Sequence, residues 1–390
     1  MIYRLHKKYF DCYCDSQRSE SLNFFKDYSQ TRDNINIEYE DANYKCLPYL
    51  EQVLQSKTHA ISLFSGCGGL DIGTQMAGVK VISSLDFDKD AINTLRNNIF
   101  FAHTEHFLDD IRNVNATYYS EILKKNNPER LILVGGPPCQ PFSKAGYWKT
   151  LKERLGPDDP RNMIGQYLKL IDELRPDGFI LENVESILHP HNIQAIIDLQ
   201  EVLDSMNYHY IIHKANAIDY GVPQKRKRVF VIASKKNIST IPIVDDSPTT
   251  NLIEWIGKYD CAKYASDSDS ADGKYFEQLT QVPMGDNYIS LSERRNFPNP
   301  QFVAGKRYWT FLLKLHPFMP SWTILSQPGH WEGPFHWSNR RLRVEEIASI
   351  QTFPSDYKIM GSPRIIHKQI GNAVPCLLGK RMIEFLISVI

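Results

Sequence analysis

The sequence predicts an α/β protein that is built on a doubly wound parallel sheet and has a second, smaller domain. From Ala60 to Ala233, short apolar runs alternate with amphipathic stretches, as strands and helices do in such a sheet. After Ala233 the pattern changes to irregular aromatic segments with little helical periodicity. The first 57 or so residues are rich in Tyr, Asp, Asn and Ser, and we expect either a small packed extension or a partly ordered arm there.

The composition narrows the class of protein. The chain has 390 residues and a formal net charge of +0, which excludes a basic arm that coats nucleic acid without specificity. A nucleic-acid partner would need the positive charge to be gathered in a cleft. No secretory signal and no apolar run long enough to span a bilayer are expected. Seven scattered cysteines favour reduced thiols and a cytoplasmic protein, without a metal site.

The first strand is expected over Ala60–Phe64, followed by the glycine-rich turn Gly66–Gly69 and a helix. The glycines let a ligand approach the backbone, and the free N–H groups at the start of the helix suit a carboxylate. The spacing is not the G-x-G-x-x-G pattern of dinucleotide-binding proteins. This absence counts against a nucleotide-dependent oxidoreductase.

Acidic residues close the next two strands. Asp86 follows the run Val79–Leu85, and a carboxylate in this place binds ribose hydroxyls in sheets of this type. Phe87 is expected to stack on an adenine ring, although ordinary core packing is the alternative. Asp110 closes the third strand position, where it could accept a hydrogen bond from an adenine amino group.

A further apolar run, Leu131–Val134, ends in Gly-Gly-Pro-Pro and then Cys139. The prolines restrict the backbone of this segment, so the thiol would be held in a fixed position at the carboxyl end of a strand. Glu182 ends another apolar run, and the basic segment Gln224–Arg228 leads into a last strand. A thiol, a carboxylate and a guanidinium group at strand ends suggest covalent chemistry on a polar heterocycle.

Six sequence blocks, in this order, resemble the DNA cytosine-5 methyltransferases of bacteria and phages. They are Phe64–Gly69, Pro137–Gln140, Glu182–Val184, Gln224–Arg228, Gln351–Pro354 and Gln369–Pro375. The resemblance implies a Rossmann-like sheet that binds S-adenosylmethionine, and double-stranded DNA as substrate. It implies a catalytic domain over 58–233 and 326–390 and a target-recognition domain over 234–325.

The resemblance also implies roles for residues. Cys139 would add to C6 of a cytosine that has been flipped out of the duplex, with Glu182, Arg228 and Arg226 assisting at the ring. The predicted cofactor contacts are Phe64, Ser65, Gly66, Gly68, Gly69, Leu70, Asp86, Phe87, Asp110, Ile111, Asn372, Ala373 and Val374. The predicted supporting residues are Pro138, Gln140, Ser143 and Asn183. Asp86 and Phe87 stand where family members often have Glu and Trp, which keeps the same chemistry.

Other functions remain open at this point. A related enzyme that acts on transfer RNA is one, although the Cys-Phe-Thr segment usual in that group is missing. A catalytically inactive DNA-binding homologue is another, but it would not need Cys139, Glu182 and Arg228 together. We expect a monomer that protects a DNA site from a cognate restriction endonuclease, by analogy with bacterial and phage enzymes.

Overall fold

The computed structural model describes residues 2–4, 36–38, 41–138, 163–190, 193–242 and 251–390. The chain divides into two compact units. The larger one comprises Tyr44–Thr249, Thr323–Gln327 and Gln351–Ile390, and the smaller one comprises Met1–Asn43, Thr250–Trp322 and Pro328–Ile350. In this division 44–57 join the larger unit and 328–350 join the smaller one, and the functional domain bounds expected from the sequence stay a prediction.

A seven-stranded sheet forms the centre of the larger unit. Its strands are β1 (Thr58–Leu63), β2 (Lys80–Asp86), β3 (Glu105–Leu108), β4 (Arg130–Gly135), β5 (Gly178–Val184), β6 (His209–Asn216) and β7 (Lys227–Ser234). Their spatial order is β3-β2-β1-β4-β5-β7-β6. Strands β1 to β5 are parallel, whereas β7 runs antiparallel to both β5 and β6. The carboxyl ends of β1, β2, β4 and β5 therefore meet at one edge, where open α/β sheets bind their ligands.

Helices cover both faces of this sheet, which confirms the predicted fold class. They are α1 (Leu50–Gln55), α2 (Gly69–Met76), α3 (Lys89–Arg96), α4 (Ser120–Asn126), α5 (Ile164–Leu174) and α6 (Ile193–Ser205). The smaller unit contains α7 (Leu252–Ile256), α8 (Phe276–Gln281) and α9 (Val344–Ile350). The larger unit ends with α10 (Pro363–Asn372) and α11 (Cys376–Val389).

Two apolar cores lie against the sheet, one on each face. The first joins Tyr167 and Leu170 of α5 with strand residues such as Leu133. The second joins Leu378 and Met382 of α11 with Ala60 of β1 and its neighbours. Strands buried on both faces explain the nearly continuous apolar runs that revealed them in the sequence.

The smaller unit contains mostly 3-10 turns and irregular segments around an aromatic core, with short strands at Ile2–Arg4, Asn36–Glu38 and Ser321–Trp322. Tyr288, Phe311, Trp331 and Phe335 are buried in this core. The helices of this unit are short, in agreement with the weak helical periodicity of its sequence.

One acidic segment of the smaller unit is more ordered than its composition suggests. The acidic segment Ser266–Gly273 has the composition of a flexible loop, but it contains a 3-10 turn at Asp267–Asp269 that Ser266 caps. Asp269 is buried, and its Oδ2 lies 2.7 Å from Nε of Arg343, a residue that is distant in sequence. This ion pair fixes a segment that its composition alone would leave in solvent.

Candidate active site

The turn after β1 has an unusual backbone. Phe64, Gly66 and Gly68 all have positive φ angles, of 56°, 54° and 84°. Such an angle in a bulky residue costs about 1–3 kcal/mol and is found mainly at functional turns. The backbone N–H of Gly66 donates to Oδ2 of Asp86 at 2.8 Å, which joins the turn to the end of β2.

Asp86 and Phe87 lie next to this turn in different surroundings. Asp86 is buried, its Oδ1 accepts the N–H of Asp88 at 2.8 Å, and burial raises the pKa of its carboxyl group. Phe87 is 72% exposed, which excludes core packing for its ring. The carboxylate of Asp86 has further lone pairs that could accept ribose hydroxyls. The exposed ring of Phe87 beside it could stack on an adenine ring.

The segment Asn372–Val374 approaches the start of α2. A side chain on Gly69 would lie only 2.3 Å from the carbonyl oxygen of Val374, so this position has room for glycine alone. Ala373 and Val374 are buried and Asn372 is exposed. The first turn of α2 and the segment after α10 thus form one wall, although they are 300 residues apart in sequence.

The remaining predicted cofactor residues are also in the larger unit. Ser65 and Leu70 are buried in the turn and in α2. Asp110 caps a 3-10 turn and holds Arg112 through both carboxylate oxygens. Ile111 is buried in the core, so only its backbone can contact a ligand.

Glu182 and Asn183 of β5 lie against the segment that leads to Cys139. A side chain on Gly136 would lie 2.9 Å from Oε2 of Glu182, so the glycine leaves space for this carboxylate. Asn183 is buried, and its Nδ2 donates to the carbonyl oxygen of Pro137 at 3.3 Å. Pro138 is half-buried, and Cys139, Gln140 and Ser143 lie outside the described residues.

Arg228 pairs with Glu182. Its Nε lies 2.8 Å from Oε1 of Glu182, and the two side chains are 15% and 13% exposed. The pair joins β7 to β5 across neighbouring strands of the sheet. A charge-assisted hydrogen bond with so little exposure fixes the orientation of the carboxylate.

Arg226 has different surroundings from Arg228, and they do not favour the role at the reacting ring that the resemblance implies. Its side chain is 1% exposed, and its guanidinium donates to the carbonyl oxygens of Ile324, Gly371 and Ala373 at 3.4, 3.0 and 3.1 Å. Burial lowers the pKa of Arg226. Through these hydrogen bonds Arg226 fixes the backbone of the segment after α10. Its buried side chain has no exposed surface that could contact a substrate.

Sequence reasoning missed two amide side chains that help Arg226 to fix this backbone segment. Gln224 and Gln351 are fully buried and hydrogen-bond to each other at 2.8 Å. Nε2 of Gln351 also donates to the carbonyl oxygens of Ile370 and Ala373. Both residues belong to sequence blocks that resemble the family, and this was the available signal.

A buried polar cluster below the turn was missed as well. Asp71 accepts hydrogen bonds from Ser62 and Ser84, and all three side chains are at most 1% exposed. Serines at inward positions of apolar strands, and an acid in an apolar helix, were the signal in the sequence. In the ranges that the structure describes, no three His, Cys, Asp or Glu side chains cluster as a metal site would require.

Comparison with known proteins identifies the family. Residues 58–388 match the model of the C-5 cytosine-specific DNA methylase family. The chain is 34% identical over 368 residues to the type II methyltransferase M.SacI of Streptomyces achromogenes, with 84% of this chain and 92% of that protein covered. It is 30% identical to M.FnuDI of Fusobacterium nucleatum, with 84% and 94% covered. The chain belongs to the C-5 cytosine-specific DNA methylase family.

Solved structures agree in fold. A protein described as a DNA modification methyltransferase encoded within an E. coli prophage matches with a TM-score of 0.61 and 24% identity, covering 85% of this chain and 99% of that one. A DNMT2 mutant from Spodoptera frugiperda matches with a TM-score of 0.57 and 17% identity, covering 85% and 99%. At such identities the likeness concerns the fold.

The family membership confirms the activity that the sequence blocks implied. The protein is a DNA (cytosine-5) methyltransferase that uses S-adenosylmethionine as methyl donor and DNA as substrate. The transfer-RNA enzyme and the inactive homologue are not favoured. No helix in the described part of the chain combines the length and apolar character needed to cross a membrane.

Proposed function

We propose that the protein methylates cytosine by covalent catalysis at the edge where β4 and β5 end. The observation that carries this proposal is the Arg228–Glu182 pair, which lies against Gly136, three residues before Cys139. Carbon C5 of cytosine is too weak a nucleophile to accept a methyl group unaided. Addition of a thiolate to C6 turns C5 into an enamine-like carbon.

Cys139 is the proposed nucleophile. It follows a segment that Asn183 holds through the carbonyl oxygen of Pro137, and two prolines restrict that segment's backbone. After methyl transfer the C5 proton leaves, we propose to a water molecule, and the thiolate is eliminated to restore the aromatic ring. A cytosine inside a duplex cannot be attacked in this way, so the base must flip out of the stack.

Glu182 and Arg228 are proposed to act on the ring of the flipped base. Glu182 would hydrogen-bond at N3 and share its proton as the thiolate adds, which favours addition at C6. Arg228 holds Oε1 of Glu182 and could donate from its remaining N–H groups to the O2 carbonyl. Arg226 is proposed to act at a distance, by fixing the backbone of Gly371 and Ala373.

The cofactor is proposed to bind between the turn Phe64–Gly69 and the segment Asn372–Val374. Asp86 would accept the ribose hydroxyls and Phe87 would cover the adenine ring, with Asp110 near the adenine amino group. Leu70 would contribute backbone and apolar contacts, and Ile111 would contribute its backbone. When bound, the cofactor supplies an electrophilic methyl group on a positively charged sulfur.

DNA recognition is proposed to lie in the region 234–325, most of whose described residues belong to the smaller unit. Tyr308 is 73% exposed and Trp309 44%, next to Lys306 and Arg307. Tyr288 is buried below them, and its hydroxyl bonds to the backbone of Arg307 and Gly305. Aromatic and basic side chains on a backbone held in this way suit phosphate contacts and readout of base edges.

The relatives' names support a biological setting for the protein. Both relatives described above are type II methyltransferases. We propose that this protein likewise protects a DNA site, as a cytoplasmic monomer, from a cognate restriction endonuclease. Replacing 234–325 by the same region of an enzyme with another site should move methylation to the donor's site, as bisulfite sequencing can determine. Methylation that stays at the original site would refute this division of roles.

The variant Glu182→Gln tests the catalytic proposal. It keeps the shape of the side chain but cannot deliver a proton, so transfer of tritiated methyl groups to duplex DNA should fall while DNA binding survives. Transfer RNA, assayed in parallel, should accept no methyl groups. Equal loss of binding and turnover would show that Glu182 is structural.

A further inference from the structure

A buried network of hydroxyl groups surrounds the carboxyl group of Asp71, directly below the turn Phe64–Gly69. Oδ1 accepts the hydroxyl of Ser62 at 2.5 Å and Oδ2 accepts that of Ser84 at 2.8 Å. Ser62 is in turn linked to Ser65 of the turn at 2.9 Å. The network therefore connects β1, β2, the turn and the first turn of α2.

This carboxyl group has no cationic partner in the part of the chain that the structure describes. Among the described residues, no lysine, arginine or histidine forms an ion pair with Asp71 or with Asp86, which lies close enough to interact with it electrostatically. Asp71 is fully buried, and burial raises its pKa to about 6, with the charge of Asp86 adding to the effect. At neutral pH the site thus holds an uncompensated buried anion, which is costly unless a cation arrives.

The other titratable groups near Asp71 do not supply that cation. They are Cys67, Cys376 and the hydroxyl of Tyr357, and burial raises the pKa of all three. Each is therefore neutral at physiological pH. The positive end of α2 offsets only part of the charge of Asp71, since this helix is short.

We propose that Asp71 is a residue that selects the cofactor by charge, favouring the sulfonium form over the methyl-depleted thioether product. The inference rests on the cofactor site proposed above. The two ligands share the adenosine and amino-acid groups and differ in one methyl group and one positive charge. A buried negative charge therefore stabilises the first ligand and leaves the second nearly unaffected. The same charge would favour replacement of the bound product by the next molecule of S-adenosylmethionine.

Calorimetric binding of each ligand to the purified protein tests this proposal. In wild type the affinity for S-adenosylmethionine should fall about tenfold between pH 7.5 and pH 5, as Asp71 takes up a proton, with the product's affinity changing much less. Asp71→Asn should lower the ratio of the two affinities at pH 7.5 about tenfold and remove its pH dependence. An analogue with an ammonium group in place of the sulfonium should behave like S-adenosylmethionine.

Two control variants separate charge from packing. Thr74→Val removes a buried hydroxyl on the same helix, where it bonds to the backbone of Leu70, and should leave the ratio unchanged. Ser84→Ala keeps the charge of Asp71 but removes one donor, so the pH midpoint of the ratio should move upward. This variant and the wild-type pH series keep the proposal testable if Asp71→Asn folds poorly.

The outcomes distinguish this proposal from the cofactor site itself. If Asp71→Asn weakens both ligands equally, or the wild-type ratio is independent of pH, Asp71 is structural and the proposal is overturned. Asp86→Ala should weaken both ligands together. Unchanged affinities in that variant would overturn the cofactor site, and the inference about Asp71 with it.

Discussion

Gly136→Ala is expected to impair catalysis with little effect on folding. The new Cβ would lie 2.9 Å from Oε2 of Glu182, so the oxygen must move by about 0.5 Å to reach the 3.4 Å of ordinary contact. The atom to be displaced is the end of a flexible side chain, and Gly136 has no positive φ angle to strain. The fold can therefore adapt cheaply, whereas the carboxylate cannot keep its position.

The size of the effect follows from the Arg228–Glu182 bond. This pair is 2.8 Å apart and little exposed, and a charged hydrogen bond of this kind contributes about 1.5–3 kcal/mol. At 1.4 kcal/mol for each factor of ten, losing its geometry in the transition state lowers kcat by about 10- to 150-fold. The affinities for DNA and cofactor should change by less than about threefold, because the change displaces one oxygen of Glu182, whose proposed bond to the base acts mainly in the transition state.

Methyl transfer to duplex DNA at saturating substrate measures kcat, single turnovers give the rate constant of the chemical step, and thermal melting reports stability. Gly165→Ala is the matched control, since nothing lies within 4 Å of its added Cβ. The control should keep the wild-type kcat. A Gly136→Ala enzyme with the wild-type kcat and unchanged melting would refute the role given to the position of Glu182.

Three further variants test other parts of the account. Asp86→Ala should weaken cofactor binding by about 1–3 kcal/mol in calorimetry, because the ribose hydroxyls lose a buried acceptor; unchanged affinity would contradict this. Arg226→Met should lower the melting temperature and raise KM for the cofactor, but keep kcat at saturation, since the residue braces backbone carbonyls; a fall in kcat alone would instead make it catalytic. Burial raises the pKa of Asp71 from 3.8 to about 6, so the free enzyme should lose about 3 kcal/mol of stability as pH rises from about 4 to 6. Urea melts of Asp71→Asn should show a smaller loss over this range, and equal losses would contradict the assignment.

The positions of strand-end residues could be predicted from the sequence. Glu182 and Asp86 each end an apolar run, and the carboxyl ends of parallel strands meet at one edge of a sheet. That rule places both residues at the same edge without knowledge of the strand order. The antiparallel insertion of β7 between β5 and β6 was not predicted, because it depends on pairing between distant segments.

Arg226 shows why local periodicity fails at a break in a strand. In a continuous strand Arg226 and Arg228 would point to the same face. The chain instead turns sharply at Arg226, whose N–H bonds to the carbonyl oxygen of Gln224 before β7 begins. The alternation of side chains between the two faces of the strand is lost at this turn. The guanidinium groups of Arg226 and Arg228 therefore have different surroundings.

Buried polar partners were the other limit of sequence reasoning. Asp269 pairs with Arg343, and Asp71 with Ser84, at sequence separations too large for a local pattern to reveal the partner. In both cases the composition of the segment suggests the wrong surroundings. A run of acidic residues suggests a segment exposed to solvent. A single acidic residue in an apolar helix suggests an unfavourable buried charge, not a hydrogen-bonded one.

The central claim is that Cys139 forms a covalent bond to C6 of cytosine. Duplex DNA with 5-fluorocytosine in place of cytosine tests it most directly, because fluorine cannot leave as the C5 proton does and the adduct is trapped. The account predicts a protein–DNA adduct that depends on S-adenosylmethionine, with mass spectrometry placing the link on the peptide that contains Cys139. Cys139→Ala should form no adduct while still binding DNA and cofactor. A link at another cysteine such as the buried Cys67, or no adduct from an active enzyme, would contradict the account.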